Sequence, residues 1–434
     1  MLAAATIQGN NSNRQTADGG MRRTVLTLAL LPLAAFITVG VPATAHGQGT
    51  QAAQATCRNT ASFEKWLAEF KREAAAQKIS AAAIAAASPH LTFEQRIINI
   101  DRGQRFFAQN FLDFSKKVIP AYRLQRGAQL IKKHQDLFQR IEKDFGVPAP
   151  VIVAFWGLES DFGASAGKER VLPALATLAY DCRRPELFRP RLFDALRMIE
   201  RGDLRPEEMI GSWAGELGQT QMMASEYYRS ATDYDGDGRR DLIKSVPDVL
   251  ASTANYLQHL GWKRGQPWIR EVRVPTNLGW EQADLSIQHP RSQWAKWGVT
   301  RADGKPLEAD AMPASLVLPM GRFGPAFLAY DNFRVYTEWN NSLIYSLSAA
   351  YYATRLAGAP AYHPGQGDKI PTLSIDEVRE LQTILAKRGF DVGRIDGILG
   401  VKSRQAVRTM QIKLKLPADA WPTTDFLARL RSGR

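Results

Sequence analysis

A glutamate at the end of an apolar stretch is the residue best placed for chemistry. Ile152, Phe155 and Trp156 precede Glu159 at helical spacing, which places its carboxyl group on the same helix face as three large apolar side chains. Because apolar surroundings disfavour the ionised form, such a carboxyl can stay protonated at neutral pH and act as a general acid. The alternative is a glutamate near a helix end that reaches solvent or a salt bridge.

Two further segments carry groups that could hold a ligand. Residues 211–222 contain three glycines and several amide or hydroxyl side chains, as a surface approached by a polar ligand needs. Residues 332–345 combine aromatic rings with amides, a mixture that can bind sugars by stacking and by hydrogen bonds to hydroxyls. The alternative for residues 211–222 is a Gly-rich turn between helices. The alternative for residues 332–345 is aromatic packing in the core.

A run of aspartates has the spacing of a calcium-binding loop. Side chains at loop positions 1, 3, 5 and 9 match, with Gly238 at position 6; they are Asp233, Asp235, Asp237 and Asp241. Position 12 holds Lys244 where a bidentate glutamate belongs, although Asp248 could supply the last ligand in a longer loop. Two interpretations stay open. The loop binds a structural calcium ion, or it is a turn of surface aspartates paired with Arg239 and Arg240.

Helices are expected to position most of these groups. Gly146-Val147-Pro148 predicts a helix start before Glu159, since proline fits the first turn. Apolar residues recur at helical spacing from residue 62 to about 261 and again over 342–356. Residues 268–317 have weaker periodicity and many Gly, Pro and Asn residues, which favours short strands and loops.

The C-terminal part is predicted to be a separate unit. Residues 358–371 are dense in Pro and Gly and lack periodicity, so they predict a linker between two periodic regions. Residues 372–434 are basic and periodic, and could fold as a small helical module.

Composition describes a globular, basic chain. The 434 residues are 45% apolar and 23% charged, which excludes a collagenous, low-complexity or polytopic membrane protein. This length predicts two or three folding units. The net charge of +13 favours an anionic partner such as nucleic acid, a membrane surface or cell wall. The six histidines have no metal-ligand or triad spacing and are assigned no chemistry.

Residues 1–45 have the pattern of a secretory signal peptide. A basic start precedes the apolar run 25–41, and Ala43-Thr44-Ala45 supplies the cleavage pattern. A signal anchor is the alternative, but the run is short for a membrane span and contains Pro32 and Gly40. We therefore expect an exported protein with a cleaved signal and no lipid anchor.

Two cysteines limit the redox and metal chemistry. They exclude a disulfide scaffold, a four-cysteine zinc site and an iron–sulfur cluster. Export would permit a disulfide between Cys57 and Cys182, and two separately buried thiols are the alternative.

Several motifs, taken together and in this order, resemble the lytic murein transglycosylase B family. They are Trp156-Gly-Leu-Glu-Ser-Asp-Phe-Gly163, the run 211–221, Asp235-Gly-Asp-Gly238, and Ala254-Asn-Tyr-Leu257 with Gly261-Trp262. The resemblance covers about residues 57–357 and implies a mainly α (α+β) catalytic domain, with a lysozyme-like helical core and small β and loop elements. It also implies cleavage of the β-1,4 bond between N-acetylmuramic acid and N-acetylglucosamine, leaving a 1,6-anhydro end.

The resemblance implies a cleavage reaction in which one carboxylate serves as both acid and base. Glu159 would protonate the glycosidic oxygen and then deprotonate the C6 hydroxyl of the muramyl residue as that hydroxyl attacks C1. The resemblance assigns six residues to substrate binding: Ser212 and Gln219 beside the acid, Tyr256 and Arg184 on the glycan, and Trp339 with Asn340 at the far wall of the cleft.

Three positions depart from the family pattern, one of them Ala224, where Pro is usual. Met222 stands where Phe is usual, and Trp339 stands before Asn340 where Tyr is common. Because methionine is flexible and stacks less well on a sugar, the contact assigned to that aromatic residue is in doubt. Glu216 lies inside the motif and is interpreted as a supporting residue, not as the acid.

The tail resembles the peptidoglycan-binding domain found on many wall enzymes. The matching residues include Leu381-Gln382, Gly389-Phe390, Asp396-Gly-Ile-Leu-Gly400 and Met410-Gln411. A three-helix module over 372–434 is implied, which would raise the local concentration of the catalytic body at the wall by tethering. The alternative is a helical bundle that only packs on the enzyme.

Two other functions stay open: a hydrolytic muramidase that releases reducing ends, and a non-catalytic peptidoglycan-binding scaffold. Nucleic-acid binding is not expected, because the chain has an export signal and lacks an interleaved basic and aromatic patch. The resemblance implies a periplasmic monomer that acts on glycan strands, with cell-wall synthesis proteins as further partners. The implied reaction requires no cofactor, and whether a structural calcium ion binds stays an open question.

Overall fold

A computed structural model describes residues 61–103 and 109–433. The catalytic body predicted from the sequence contains fourteen α-helices within these residues. The first seven are α1 (Phe63–Ala76), α2 (Ala81–Ala87), α3 (Gln95–Arg102), α4 (Phe111–Val118), α5 (Ala121–Lys133), α6 (Gln135–Phe145) and α7 (Ala149–Ser160). The next seven are α8 (Val171–Tyr180), α9 (Pro185–Arg201), α10 (Ala224–Ser230), α11 (Val246–His259), α12 (Arg291–Lys296), α13 (Asp331–Trp339) and α14 (Leu343–Leu356). This mainly α architecture agrees with the fold class expected from the sequence.

Helix α7 lies at the centre of the helical body. All of its residues except Pro150 are buried, because the segment is apolar around its whole circumference. Helices α5, α6, α11 and α14 pack around it. Gly146, at a φ of 75°, ends α6, and Pro148 precedes the first turn of α7, as the sequence predicted.

A small antiparallel sheet forms one wall beside α7. Its strands, in spatial order, are β1 (Glu169–Arg170), β2 (Ile210–Gly211), β3 (Glu216–Leu217) and β4 (Met222–Met223). Glu216 pairs with Met223, and Gly211 pairs with Leu217. A Cβ atom on Gly211 would lie 1.8 Å from the Glu216 carbonyl oxygen, so only glycine allows β2 and β3 to approach this closely.

A second antiparallel sheet occupies the region predicted to hold short strands and loops. Its spatial order is β6 (His289–Pro290), β8 (Pro313–Val317), β10 (Ala326–Ala329), β5 (Ile269–Arg273) and β7 (Thr300–Arg301); β9 (Pro319–Arg322) lies outside this order. Phe327 pairs with Val317 on one side and with Glu271 on the other. The fully buried Trp294 packs in the core beneath this sheet and donates a hydrogen bond to the Ala314 carbonyl oxygen.

Three helices form the C-terminal module. They are α15 (Ile375–Lys387), α16 (Val401–Lys413) and α17 (Thr424–Arg431), packed around a separate small core. The Ser374 side chain caps α15 in a capping box with Glu377, which fixes where the module begins its first helix.

The C-terminal module packs against β9 of the catalytic body. Arg322 Nη1 lies 2.7 Å from Oδ2 of the buried Asp419, and the Arg404 guanidinium donates to the Pro319 carbonyl oxygen at 3.0 Å. Gly321, at a φ of 63°, lies so close to Trp421 that a Cβ atom would be 2.4 Å from the Trp421 Cβ. The module therefore has a specific contact surface on the catalytic body.

Segment 358–371, predicted to be a linker, contains no α-helix or strand but packs on the catalytic body. The Tyr362 ring lies 4.6 Å from the ring of Tyr351, and its hydroxyl lies 2.8 Å from Ser115 Oγ. The Gln366 N–H donates to the Phe323 carbonyl oxygen at 2.8 Å. Regular structure here is limited to one short 3-10 helix, Gly367–Lys369, and the Pro and Gly content does not exclude tertiary contact.

Several expectations concern residues outside the described ranges. The predicted signal peptide, 1–45, and Cys57 both lie outside them. Cys182 is disulfide-bonded. Within the described ranges, none of the helices combines the length and apolar character needed to cross a bilayer.

Candidate active site

Glu159 is buried in the last turn of α7, and its carboxyl accepts hydrogen bonds from residues of α13 and α14. Its side chain is 2% exposed. Oε1 accepts a hydrogen bond from Trp339 Nε1 at 3.0 Å and a second, short hydrogen bond from the Tyr345 hydroxyl. Oε2 is buried and has no hydrogen-bond partner among the described residues. The two oxygens are therefore in different environments.

The surroundings of Glu159 favour its protonated form. Burial raises the pKa of Glu159 above its ordinary range, and the hydrogen bonds from Tyr345 and Trp339 lower it in part. Among the described residues, no Arg or Lys forms an ion pair with this carboxylate, whereas many other acidic residues are paired. Burial and the lack of a cationic partner among these residues therefore both favour the protonated form of Glu159 over its carboxylate.

Helices α13 and α14 position the two donors. The indole of Trp339 lies at the end of α13, 4.2 Å from the Phe155 ring and 5.2 Å from the Tyr256 ring. Ser342 caps the N-terminus of α14, because its hydroxyl accepts from the Tyr345 N–H at 3.3 Å. The cap fixes the first turn of α14, from which Tyr345 reaches Glu159.

Ser212 and Glu216 lie on the β2–β3 hairpin at the same site. Ser212 is 1% exposed, and its Oγ accepts the N–H groups of Ala214 and Glu216, each at 3.2 Å. Glu216 is also buried. Burial raises the pKa of Glu216 to about 7; a hydrogen bond with Ser212 opposes this rise and the charge of Glu159 adds to it. Two carboxyl groups therefore share the site.

Gln219 joins the hairpin to α7 through hydrogen bonds within the protein. Its Oε1 accepts from Trp156 Nε1 at 2.8 Å, and its Nε2 donates to the Ile243 carbonyl oxygen at 2.9 Å. The Ser160 hydroxyl donates to the Gln219 carbonyl oxygen. Both ends of the amide have protein partners, so this geometry positions α7; the substrate contact expected from the sequence stays a prediction.

The other expected binding residues divide into two groups. Tyr256 lies in ring contact with Trp339, beside Glu159, and Asn340 accepts the Ser342 N–H at 2.9 Å. Arg184 lies at the start of α9, where its guanidinium forms an ion pair with the buried Asp101 and lies over the Phe188 ring at 5.2 Å. The structure therefore gives Arg184 a contact that joins α9 to α3, and its assignment to the glycan stays a prediction.

Met222, which departs from the family pattern, lies in the core. It is 2% exposed on β4, where it pairs with Leu217. A side chain in this position fills space between the sheet and the helices and is remote from solvent. The doubt about a stacking contact at this position therefore stands.

Three groups at this site have a larger part in the structure than the sequence indicated. Tyr345 was noted only as part of an aromatic segment, Glu216 was interpreted as support, and Arg191 was not singled out. Arg191 Nη1 is buried without a hydrogen-bond partner among the described residues, and its charge interacts with Glu226 and Glu216. No local spacing signals Arg191, because its neighbours lie on other elements.

The aspartate loop brings together three of the five expected calcium ligands. One carboxylate oxygen from each of Asp233, Asp235 and Asp248 lies within 4.8 Å of the other two. The Asp237 carboxylate accepts the Arg239 N–H at 2.8 Å. The Asp241 carboxylate accepts two N–H groups at 2.9 Å, from Ile243 and Lys244. Carboxylate oxygens are ligands that calcium prefers, so the three-aspartate group fits this ion.

Comparisons with known proteins identify two domain families that match this chain. The transglycosylase SLT domain family matches residues 62–354, and a peptidoglycan binding domain family matches residues 374–430. Membrane-bound lytic murein transglycosylase B of Escherichia coli (strain K12) is 32% identical over 244 residues. The match spans 55% of this chain and 65% of that relative's length.

Solved structures share the fold over longer stretches. SltB3 from Pseudomonas aeruginosa, in complex with NAG-anhNAM-pentapeptide, has a TM-score of 0.79 and 38% identity, covering 85% of this chain and 99% of that chain. The Escherichia coli lytic transglycosylase Slt35, in complex with calcium, has a TM-score of 0.57 and 26% identity, covering 67% of this chain and 92% of that chain. Since the first family match spans well over half of the residues, this chain belongs to the transglycosylase SLT domain family, as its motifs predicted.

Proposed function

We propose that this chain is a lytic transglycosylase of peptidoglycan, with Glu159 as its acid and then its base. It cleaves the β-1,4 bond between N-acetylmuramic acid and N-acetylglucosamine and leaves a 1,6-anhydromuramyl end. The observation that carries this proposal is the buried, unpaired carboxyl of Glu159, with one oxygen held and the other without a partner among the described residues. A related protein, SltB3, has been solved with NAG-anhNAM-pentapeptide, whose name denotes an anhydro sugar.

The acid step uses the unpartnered oxygen. Because Oε1 already accepts two hydrogen bonds, the proton of Glu159 belongs on Oε2. That proton passes to the glycosidic oxygen while the bond from this oxygen to C1 of the muramyl residue breaks. The N-acetylglucosamine part then leaves as a neutral alcohol, and Glu159 becomes a carboxylate.

The base step returns a proton to Glu159. The C6 hydroxyl of the same muramyl residue attacks C1, and its proton moves to the Glu159 carboxylate as the new C6–O–C1 bond forms. Because the nucleophile is part of the substrate, its effective concentration near C1 can far exceed that of water. The carboxylate that exists between the two steps is stabilised by the donors Trp339 and Tyr345.

The residues around Glu159 support the glycan in different ways. We assign Tyr256 and Trp339 to ring contact with sugars, because both rings lie in one aromatic group beside the acid. Ser212, Gln219 and Asn340 hold the walls of the site through their protein hydrogen bonds. Their direct contact with the glycan is part of this proposal.

The Glu159→Gln variant tests this assignment. Glutamine keeps the size of the side chain and its hydrogen bonds from Trp339 and Tyr345, but it has no acidic proton to give to the glycosidic oxygen. We expect clearing of purified sacculi to fall by about 100-fold or more, while the variant still binds the sacculi. Glu69→Gln, an exposed position on α1, is the matched control and should clear sacculi at the wild-type rate. Cleavage by Glu159→Gln at a rate near that of the wild type would refute the assignment.

A hydrolytic muramidase is the second candidate, and one observation favours it. Glu216 is a second buried carboxyl at the site, and a second carboxylate is what a hydrolase needs, either as nucleophile or to activate water. The two reactions differ in their products, since hydrolysis leaves a reducing end and transglycosylation leaves an anhydro end.

We further propose that the loop of Asp233, Asp235 and Asp248 binds calcium in a structural role. Asp248 is fully buried and orients this loop by accepting the N–H groups of Tyr234 and Asp241 at 2.7 and 2.8 Å. The related Slt35 has been solved in complex with calcium. Asp237 and Asp241, also expected from the sequence, stay predictions as ligands.

The C-terminal module is proposed to bind glycan strands of the wall in the periplasm. The support is the family match over residues 374–430 and the basic character of the tail. The cleaved signal peptide, the monomeric state and cell-wall synthesis proteins as partners are further parts of this proposal.

A further inference from the structure

Glu159 lies inside a hydrogen-bonded turn that ends α7. The Asp161 N–H donates to the Gly157 carbonyl oxygen at 3.1 Å. The Phe162 N–H donates to the Trp156 carbonyl oxygen, also at 3.1 Å. These two bonds close over the residues between them, and Glu159 is one of those residues. Because the last turn of a helix frays unless its carbonyl groups are satisfied, the position of the acid depends on this cap.

The cap uses two residues in a backbone conformation that side chains disfavour. The φ angle is 52° at Asp161 and 61° at Phe162. Glycine normally takes this left-handed conformation, because a Cβ atom there lies too close to the following carbonyl oxygen. Aspartate tolerates the conformation better than phenylalanine does. A turn of this kind persists only where the surrounding structure holds it.

Arg123 of α5 supplies one of the contacts that hold the cap. Its Nε lies 3.1 Å from Asp161 Oδ1, to which the Tyr122 hydroxyl also donates at 3.2 Å. Its Nη1 donates to the Val118 carbonyl oxygen at 2.5 Å, which fixes the guanidinium between α4 and the cap. The Arg123 side chain is 14% exposed, so solvent screens this ion pair less than it screens a pair on the open surface.

The backbone of Arg123 contacts the helix that carries Tyr345. The Tyr352 hydroxyl donates to the Arg123 carbonyl oxygen at 2.7 Å. Tyr352 and Tyr345 are seven residues apart on α14, which places them on the same face of that helix. Arg123 therefore contacts both the helix end that holds Glu159 and the helix from which Tyr345 donates to Glu159.

The cap and α14 also meet at Gly157. A Cβ atom on this glycine would lie 3.0 Å from a carbon atom of the Phe162 ring and 3.0 Å from one of the Tyr352 ring. The Phe162 ring lies edge-on to the Trp156 ring at 5.6 Å. Because this packing does not involve Arg123, removal of Arg123 should shift the two helices relative to each other without separating them.

We propose that Arg123 is a positioning residue for the general acid: it holds the end of α7 in register with α14, so that Glu159 stays within hydrogen-bond reach of Tyr345. This inference rests on the proposed role of Glu159. Arg123 acts through Asp161 and Tyr352 and takes no part in proton transfer. Its contribution is the geometry in which the acid meets its donor, and small displacements of a catalytic group slow the chemical step.

A double-mutant cycle between Arg123 and Tyr345, measured on soluble glycan strands of peptidoglycan, tests the inference. A misplaced acid slows chemistry while substrate binding is kept, so Arg123→Ala should lower kcat about tenfold with KM within about twofold. Tyr345→Phe already lacks the hydrogen bond, so adding Arg123→Ala to it should lower kcat by at most about twofold more. Arg126→Ala, at an exposed position on α5, is the matched control and should keep the wild-type kcat.

Variants of Asp161 separate the contact with Arg123 from the backbone conformation. Asp161→Asn keeps an oxygen that accepts from Arg123 and tolerates the left-handed conformation, so kcat should stay within about threefold of the wild type. Asp161→Gly takes the conformation readily but has no acceptor, so kcat should fall about tenfold, as in Arg123→Ala. This pair tests the contact even if Arg123→Ala does not fold.

Three outcomes would overturn the inference. They are losses that multiply in the double variant of Arg123 and Tyr345, a wild-type kcat in Arg123→Ala, and a wild-type kcat in Asp161→Gly. A structural role alone would lower the melting temperature without a coupling to Tyr345. If the wild-type enzyme releases reducing ends, the proposed function fails instead, whereas the cycle still reports whether Arg123 positions Glu159.

Discussion

The indole N–H of Trp339 donates a hydrogen bond to Glu159 Oε1 at 3.0 Å, from the end of α13 to the end of α7. The hydroxyl of Tyr345 donates to the same oxygen. Both donors stabilise the carboxylate, which forms only when Glu159 has given up its proton. They therefore lower the energy of the developing carboxylate more than that of the resting acid.

Replacing Tyr345 by Phe should slow catalysis and change its pH dependence. The lost hydrogen bond to a charged group is typically worth about 1.5–3 kcal/mol, so kcat should fall roughly 10- to 100-fold. Since this hydrogen bond lowers the pKa of Glu159, its removal should move the alkaline limb to higher pH. Kinetics over a range of pH values measure both effects.

Tyr351→Phe is the matched control for this variant. Tyr351 lies on the same helix, and its hydroxyl accepts from Arg355 at 3.0 Å, remote from the acid. The control should keep the wild-type pH profile. Equal profiles for Tyr345→Phe and the wild type would show that this hydrogen bond does not act on Glu159.

Glu159→Gln should change the pH dependence of stability. The folded-state pKa of Glu159 is raised by burial, so the stability associated with its neutral form is present below the unfolded pKa of about 4.3 and is lost as the pH rises through the folded pKa. Glutamine does not ionise. The melting temperature of the variant, relative to the wild type, should therefore be higher at pH 8 than at pH 4. A constant difference between the two proteins at both pH values would contradict a buried, ionising Glu159.

Calcium should stabilise the protein through the aspartate loop. If Asp233, Asp235 and Asp248 hold the ion, a free calcium concentration of about 100 times Kd adds about 2.7 kcal/mol to the stability, and chelation by EGTA should lower the melting temperature. Asp248→Asn should abolish this response, whereas Asp303→Asn, in an exposed loop, should keep it. A melting temperature that does not respond to calcium in the wild type would refute the site.

Gly321→Ala should loosen the contact between the C-terminal module and β9. An alanine Cβ would collide with Trp421, and overpacking of this kind typically costs about 1–3 kcal/mol. Hydrogen exchange should therefore speed up in peptides that contain Gly321 and Trp421. Gly265→Ala is the control, because Gly265 has a similar φ of 71° but no atom within 4 Å of the added Cβ. Equal exchange in both variants would show that the collision is relieved without undocking.

Local pattern in the sequence was sufficient to predict α7 and the burial of Glu159 on it. The spacing of Ile152, Phe155 and Trp156 predicted a buried helix face, and the structure buries Glu159 on it. The Gly-rich run predicted a surface approached by a polar ligand, or a turn between helices; the structure shows that Gly211 instead allows β2 and β3 to approach each other. The burial of Glu159 depends on neighbours in sequence, so periodicity reports it.

Contacts between distant segments could not be predicted in this way. Tyr345 lies 186 positions after Glu159, and only the packing of α14 on α7 brings the two together. Segment 358–371 was predicted from its Pro and Gly content, which says nothing about the aromatic contact of Tyr362 with Tyr351. The contact of Gly321 with Trp421 similarly depends on how the C-terminal module packs against β9.

Mass spectrometry of the muropeptides that the purified protein releases from sacculi tests the central claim most directly. An acid that takes its proton back from the C6 hydroxyl predicts products with 1,6-anhydromuramyl ends, lighter than the hydrolysis products by one water. Their release should depend on Glu159. Products with reducing ends, formed with incorporation of solvent water, would contradict the account.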